Sequence, residues 1–341
     1  MMLKNFCTVK VLFVTTVFLV VLLAGLLVLF FVGIPVIIED QIEKNVRLDT
    51  GTLQWDRFVK LPLAFDVKVF LFAVTNGVDV VNNKEIPIMK EIGPYHYSEE
   101  REKHITGFND DEDSVTFKQT MTLKFNQEAS GVLKEDDLIT VINPLMITLS
   151  QVTSTLERFV IGGCLEKVIP PEYSKMLITV PVKMLIMDGI PFGFRDASMG
   201  VACNIVRNKL LEKTANMKNV ERILDPNDGE VDYLKFAYLQ YKVRGPDGEY
   251  TTLRGRKDVN KLGTIIRWNG KPFLEGIWGR SVSVNNDTCN RIRGTDSTLY
   301  PPHITKNGIF EIFSTDICRY FHRGCASSPL TFIFSKTSNF T

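Results

Sequence analysis

From Val11 to Ile38 the chain runs 28 positions without a charged side chain, and that run decides what the rest can become. As a helix rising about 1.5 Å per residue it reaches roughly 40 Å, more than the ~30 Å of a hydrocarbon layer. Its core, Val11 to Phe31, is almost entirely Val, Leu and Phe. Each such residue near the centre lowers the insertion free energy by about 0.3–0.6 kcal/mol, which together outweighs the polar cost of Thr15 and Thr16. A cleaved secretory signal would have an apolar region of only about 7–15 residues followed by a small-x-small site; here Phe30-Phe31-Val32-Gly33-Ile34-Pro35 offers none. Residues 11–34 are therefore expected to be an uncleaved signal-anchor, with 1–10 a cytoplasmic tail. Lys4 and Lys10 precede the run and Glu39, Asp40 and Glu43 follow it, although Lys44 and Arg47 on the far side weaken a positive-inside argument. Asn286-Asp287-Thr288 is a glycosylation acceptor usable only in the secretory lumen, which favours an extracellular body.

About 300 residues follow the anchor, enough for one large domain or two ordinary ones. The 40 basic and 39 acidic residues are interleaved and leave a net charge of +1. That balance argues against nucleic acid as a partner, because phosphate binding needs a clustered basic face. Asp110-Asp111-Glu112-Asp113 reads as a solvated loop. Cys7 precedes the anchor, whereas Cys164, Cys203, Cys289, Cys318 and Cys325 follow it. An oxidising compartment favours disulfides among those five, and an odd number leaves at least one outside them. No CxxC pair or Cys/His cluster supports a zinc site.

Strand signals dominate the body. Asp66 to Phe72 reads as a short strand ending near Thr75-Asn76-Gly77. Val115 to Phe125 alternates with a period of two, broken once at Gln119, as expected of a half-buried strand. Two hairpins are predicted, Tyr233–Val243 with Glu249–Leu253 around Pro246-Asp247-Gly248, and Thr264–Trp268 with Phe273–Trp278 around Asn269-Gly270. The later half thus reads as antiparallel sheet. Between these strands Asn143 and Pro144 suit the start of a helix whose apolar face is Leu145, Leu149, Val152, Leu156 and Phe159, stopped by Gly162-Gly163. A second helical stretch runs from Ser198 to Lys213 with Ile205, Val206 and Leu210 on one side. With Pro170-Pro171 and Pro181 between them, the region reads as a cluster of short helices.

Catalytic signatures are missing. There is no GxSxG elbow, phosphate-cradling glycine loop or HExxH helix, and His96, His104, His303 and His322 have no partner at fixed spacing. A tethered binding or transport protein is the better class than an enzyme, with no cofactor implied.

Specific wording carries a resemblance. Trp55, then Leu61-Pro62-Leu63-Ala64-Phe65-Asp66-Val67-Lys68-Val69-Phe70-Leu71-Phe72 and Thr75-Asn76, resembles the opening of the class B scavenger receptor family. Glu91-Ile92-Gly93-Pro94-Tyr95-His96-Tyr97 is similar to that family's Gly-Pro-Tyr signature. Cys289, Gly294-Thr295-Asp296-Ser297-Thr298-Leu299-Tyr300-Pro301-Pro302 and Phe313-Ser314-Thr315-Asp316-Ile317-Cys318-Arg319 resemble its central block. Within the family, the wording around Ala202-Cys203 and Asp287-Thr288-Cys289 is most similar to the insect sensory neuron membrane proteins.

The resemblance implies an α+β architecture: an N-terminal transmembrane helix, then an antiparallel β-barrel-like ectodomain over 35–319. It also implies a helical apex cluster at 135–215 and an apolar tunnel leading toward the membrane. The implied activity is capture of a fatty acid, ester or hydrophobic pheromone, and its delivery to the bilayer or a neighbouring odorant receptor. Each buried methylene is worth about 0.8 kcal/mol, so a sixteen-carbon chain resists release into water by around 12 kcal/mol, a barrier that a greasy passage avoids. Lys167 and Lys175 are candidates for attracting a polar head at the entrance. Cys203, Cys289 and Cys318 are disulfide candidates, and the family's partners for the last two lie beyond the end of this sequence. From Tyr320 the wording departs from the family, so 320–341 is expected to be an atypical tail that lacks the usual continuation. Strand edges left without neighbours there would be an aggregation liability.

Overall fold

The computed structural model describes residues 2–147, 163–196, 198–274, 290–305 and 308–324. Helix α1 (Met2–Val28) and helix α2 (Ile34–Val46) are joined by one π-helical stretch, Leu29–Gly33, into a continuous rod. Pro35 explains the widened turn: it lacks an N–H and its ring collides with the carbonyl four residues back, a mismatch that a π-bulge absorbs. The stretch Phe13–Val46 spans 34 residues, reaches a mean hydropathy of 3.2 and is nowhere buried over that most apolar window. The rod runs past the expected end at residue 34 and continues through the charged turn beyond Ile38, where Lys44 lies 2.6 Å from Asp40. By length and composition this segment is long and apolar enough to cross a membrane.

The body divides into two compact units. One holds the described residues of Met1–Lys60, Ile105–Phe117 and Glu249–Ser327, the other those of Leu61–His104 and Lys118–Gly248. In the first, helix α3 (Leu53–Val59) is capped by Thr52, whose hydroxyl accepts from Trp55 N. Strands β9 (Glu249–Leu253) and β10 (Ile265–Trp268) pair antiparallel, as do β11 (Ile309–Ser314) and β12 (Arg319–Gly324). Leu48, Phe58, Val115, Phe117, Tyr250 and Leu262 centre its core, with the Phe117 and Tyr250 rings stacked 5.6 Å apart.

In the second unit β1 (Phe65–Val74) pairs antiparallel with β2 (Met89–Asn109), Val69 opposite Tyr95 and Val67 opposite Tyr97. Short helices α4 (Gly77–Asn83) and α5 (Gln127–Ser130) lie at strand ends. Strands β4 (Leu138–Ile142) and β5 (Leu177–Pro181) form one antiparallel pair; β6 (Ile190–Phe192), β8 (Val231–Phe236) and β7 (Val220–Leu224) form a three-stranded sheet in that order. Strand β3 (Ser114–Phe125), like β2, contributes residues to both units, and the hydrogen-bonded order is β1-β2-β3-β9-β10.

Several expectations change. The described strands form four open sheets and none closes into a barrel, because β1 and β10 remain the two edges of the largest sheet. The described residues of 135–215 include strands β4, β5 and β6 beside helical turns. Ile139, Val141, Ile178 and Val180 alternate inward along β4 and β5, and Pro181 ends a strand. The hairpin around Pro246-Asp247-Gly248 does not form. β8 takes β6 and β7 as neighbours and β9 takes β10, so that turn joins one unit to the other. The Asn269-Gly270 turn does form, with φ of 51° and 75° at its two central residues and a bridge from Trp268 to Lys271; its expected second strand falls largely outside the described residues. Helix α6 (Gly200–Lys213) buries Cys203, Val206, Arg207 and Leu210, whereas Ile205 is 55% exposed. At 100° per residue Ile205 sits off the face that 203, 206, 207 and 210 define. Residues 144–147 are helical and the rest of that predicted helix to Ile161 lies outside the described residues; Gly163, expected as part of its stop, is itself helical within 163–168. Finally, the acidic turn is exposed at Asp110 and Asp111, as expected of a solvated loop, and is also tied down by basic partners. Arg254 Nη1 lies 2.9 Å from Asp110 Oδ1, Arg267 grips Glu112 with both Nη groups, and Asp113 Oδ2 accepts from Lys257 N at 2.8 Å.

Candidate functional site

The residues expected at a ligand entrance lie in the second unit, along the connection that leads into β5. Asn143 organises it. This side chain is fully buried; its Oδ1 accepts from Leu145 N at 3.1 Å, which caps the helical start at 144. Its Nδ2 donates to the carbonyls of Tyr173 (2.7 Å) and Lys175 (2.8 Å). One amide thus starts a helix and clamps the turn that carries Lys175. Its capping role was legible from Asn-Pro ahead of an apolar periodicity; its grip on carbonyls some 30 positions away was not.

Lys167 stands on the helical turn 163–168, whose Cys164 forms a disulfide to Cys203 of α6. The sequence left the partner of Cys203 open, and the fold selects Cys164. Both lysines are exposed, and among the described residues neither makes a direct ion pair. Asp196 accepts from Ser198 N (2.8 Å) and Ser198 Oγ (2.7 Å); these bonds, with a smaller contribution from the Lys167 charge, hold its carboxyl below the usual range. Asn286 and Cys289 lie outside the described residues. Cys318, in the other unit, has its Sγ 3.3 Å from the Thr315 carbonyl to which it donates.

Beneath this connection is the larger apolar core, centred on Tyr95, Ile139, Ile178, Leu185, Phe192 and Leu234. The inward face of β2 changes character along its length. Tyr95 and Tyr97 are apolar-packed, and then Glu99 and Lys103 are also buried, at 5% and 2% exposure. Glu99 pairs with Arg101, whose guanidinium lies 4.7 Å over the Phe65 ring. Tyr97 donates to Glu135 at 3.0 Å, and burial followed by the Glu135 charge pushes its phenol far up. Tyr95 is fully buried, yet among the described residues its hydroxyl has no hydrogen-bond partner; burial and then Asp137 raise it too. Sequence reasoning singled out neither hydroxyl; the two-residue spacing of Tyr95 and Tyr97 is the signal that could have placed both on one face of a strand. Chemically the region offers a greasy interior, a phenol lacking an acceptor, and exposed ammonium groups at the surface. Among the described residues no group of three or more His, Cys, Asp or Glu side chains is arranged to hold a metal ion.

Of the three tryptophans, Trp55 and Trp268 fall in the first unit and Trp278 lies outside the described residues. Trp55 stacks on Phe108 at 5.5 Å and Trp268 meets Phe313 edge-on at 6.3 Å. Their fluorescence therefore reports on that unit's core and not on the Tyr95 cluster.

The pattern of the CD36 family matches residues 16–327. The chain is 30% identical over 313 residues to sensory neuron membrane protein 2 of Ostrinia furnacalis, covering 89% of this chain and 56% of that protein. It is 32% identical over 296 residues to sensory neuron membrane protein 2 of Heliothis virescens, covering 84% and 52%. Sensory neuron membrane protein 1 of Plutella xylostella is 29% identical over 299 residues, covering 85% and 53%. The chain spans about half the length of the curated relatives it matches.

Proposed function

The chain belongs to the CD36 family, and from that premise we propose that it is a membrane-anchored receptor that captures lipidic ligands. Fatty acids, fatty esters and hydrophobic pheromones are the ligand class, handed on to the bilayer or to a neighbouring odorant receptor. In this reading 1–10 is cytoplasmic, the body is extracellular, and Asn286 carries a glycan. An apolar tunnel through the body would conduct the ligand, and Lys167 and Lys175 would draw in its polar head. The observation that carries the proposal is the family match over residues 16–327, continuous from the exposed apolar rod into both units. The apolar core beneath the two lysines supports it, as does the printed name of the insect relatives, which places them in the membrane of sensory neurons. The role is binding and transfer, for which a long chain's aversion to water supplies the driving force.

The test is displacement of a radiolabelled fatty acid from the full chain in vesicles, by acids, esters and pheromone-type acetates. Saturable binding weakened severalfold by Lys167→Ala with Lys175→Ala is expected for acids, and less so for uncharged esters. Binding of glycans or proteins with no lipid binding would instead mark a cell-surface adhesion or scaffold protein. An unglycosylated chain indistinguishable from Asn286→Gln would refute the proposed orientation.

A further inference from the structure

Outside the second unit, one loop is held at a particular depth. Residues 301–305 follow Leu299, which packs on the first unit's core, and Tyr300, whose ring meets Phe310 edge-on at 5.4 Å. At the loop's tip His303 adopts a positive φ of 65°, and its Nε2 lies 2.7 Å from Oε1 of Glu39. Glu39 is the first charged residue after the 28-residue apolar run. A carboxylate avoids the hydrocarbon, so Glu39 marks the level at which the rod leaves it. His303 must lie at that level as well. Nine residues on, the rod's exit is fastened again: Leu48 N donates to the Arg254 carbonyl at 3.0 Å, and Arg254 Nε donates back to the Leu48 carbonyl at 3.0 Å. Helix α2 runs seven residues past Glu39 to Val46, so at 1.5 Å per residue this second fastening follows the end of a rod that reaches about 10 Å beyond Glu39. The first unit therefore reaches back down alongside the rod to the membrane boundary.

We infer that the 301–305 loop is a second membrane contact, with Ile304 entering the headgroup layer of the leaflet on the C-terminal side of the anchor. Ile304 directly follows His303 and is 49% exposed. On the rod, Ile34, Val36, Ile37 and Ile38 are likewise exposed just below Glu39, against which His303 lies. A large apolar side chain exposed at that depth meets lipid before it meets another protein, and interfacial burial of apolar area favours it there. The contact would fix how the body stands on the membrane. It depends on the apolar run Val11–Ile38 lying in a bilayer and not on any ligand.

The experiment places the full chain in phosphatidylcholine vesicles whose acyl chains carry bromine near the carbonyl end. It compares Ile304→Trp with Asp111→Trp, an exposed position of the same unit on the acidic turn that Arg254 holds at the second fastening, each after subtraction of the wild-type emission. Brominated lipid should quench the added Ile304→Trp emission at least twofold relative to unbrominated lipid and spare Asp111→Trp. Acrylamide in the water should show the opposite order. Emission at 304 untouched by bromine overturns the inference, whether it is red-shifted (a loop in water) or blue-shifted (a loop covered by a second protein surface).

Discussion

The disulfide between Cys164 and Cys203 joins residues 39 positions apart, and the loop it closes carries Lys167, Lys175, β5 and β6. Its removal gives a quantitative test of the second unit. Cross-linking a loop of that size withdraws chain entropy from the unfolded ensemble worth about 4 kcal/mol. Both half-cystines are buried, at 5% and 7% exposure, so alanine is the better replacement, since serine would bury a hydroxyl. The double variant Cys164→Ala/Cys203→Ala leaves a small cavity as well, adding about 1 kcal/mol. A loss near 4–5 kcal/mol is a large share of the 5–15 kcal/mol typical of a domain. The assay is amide exchange followed by mass spectrometry on peptides from β5 and α6. At 1.4 kcal/mol per decade, amides that exchange only through opening of the unit should exchange about a thousandfold faster. Reduced wild-type protein should show nearly the same acceleration, because the loop is opened in both. An acceleration below tenfold in β5 and α6 would refute the reasoning, since the unfolded chain would then gain little freedom from the cut.

Tyr95→Phe removes a buried hydroxyl that has no partner among the described residues, so thermal denaturation should show a gain of about 1 kcal/mol, where deleting a satisfied hydroxyl would cost that much. Arg254→Ala should cost about 2–3 kcal/mol by urea denaturation because it strips bonds from the Leu48 carbonyl and Asp110. Asp110→Ala should cost under about 1 kcal/mol, as that carboxylate is largely exposed. The Arg267 hydrogen bonds hold the Glu112 carboxyl below its usual range. The stability from that pair is therefore complete above an ordinary glutamate value of about 4.3 and is lost as pH falls through the lower folded value. Urea midpoints followed by Trp55 and Trp268 fluorescence between pH 5 and 3 should fall in wild type, and Glu112→Gln should flatten that decline.

Features that depend on near neighbours were legible in the amino-acid order. The apolar rod follows from length and composition. β1 follows from a run rich in Val and Phe, β3 from alternation, the Asn269-Gly270 turn from two residues that tolerate positive φ, and the start at Pro144 from a capping amide. What only the tertiary structure decided was the choice of distant partners. β8 prefers β6 and β7 to the strand just downstream, Cys203 takes Cys164 out of several cysteines, and the acidic turn finds Arg254 and Arg267 nearly 150 positions away. At the candidate entrance the exposed lysines could be named from sequence, whereas the clamp of Asn143 on Tyr173 and Lys175 could not. The physical reason is the same in each case. Periodicity and capping are set by bonds within a few residues, while pairing is settled by which surfaces can be buried together once the whole chain has collapsed.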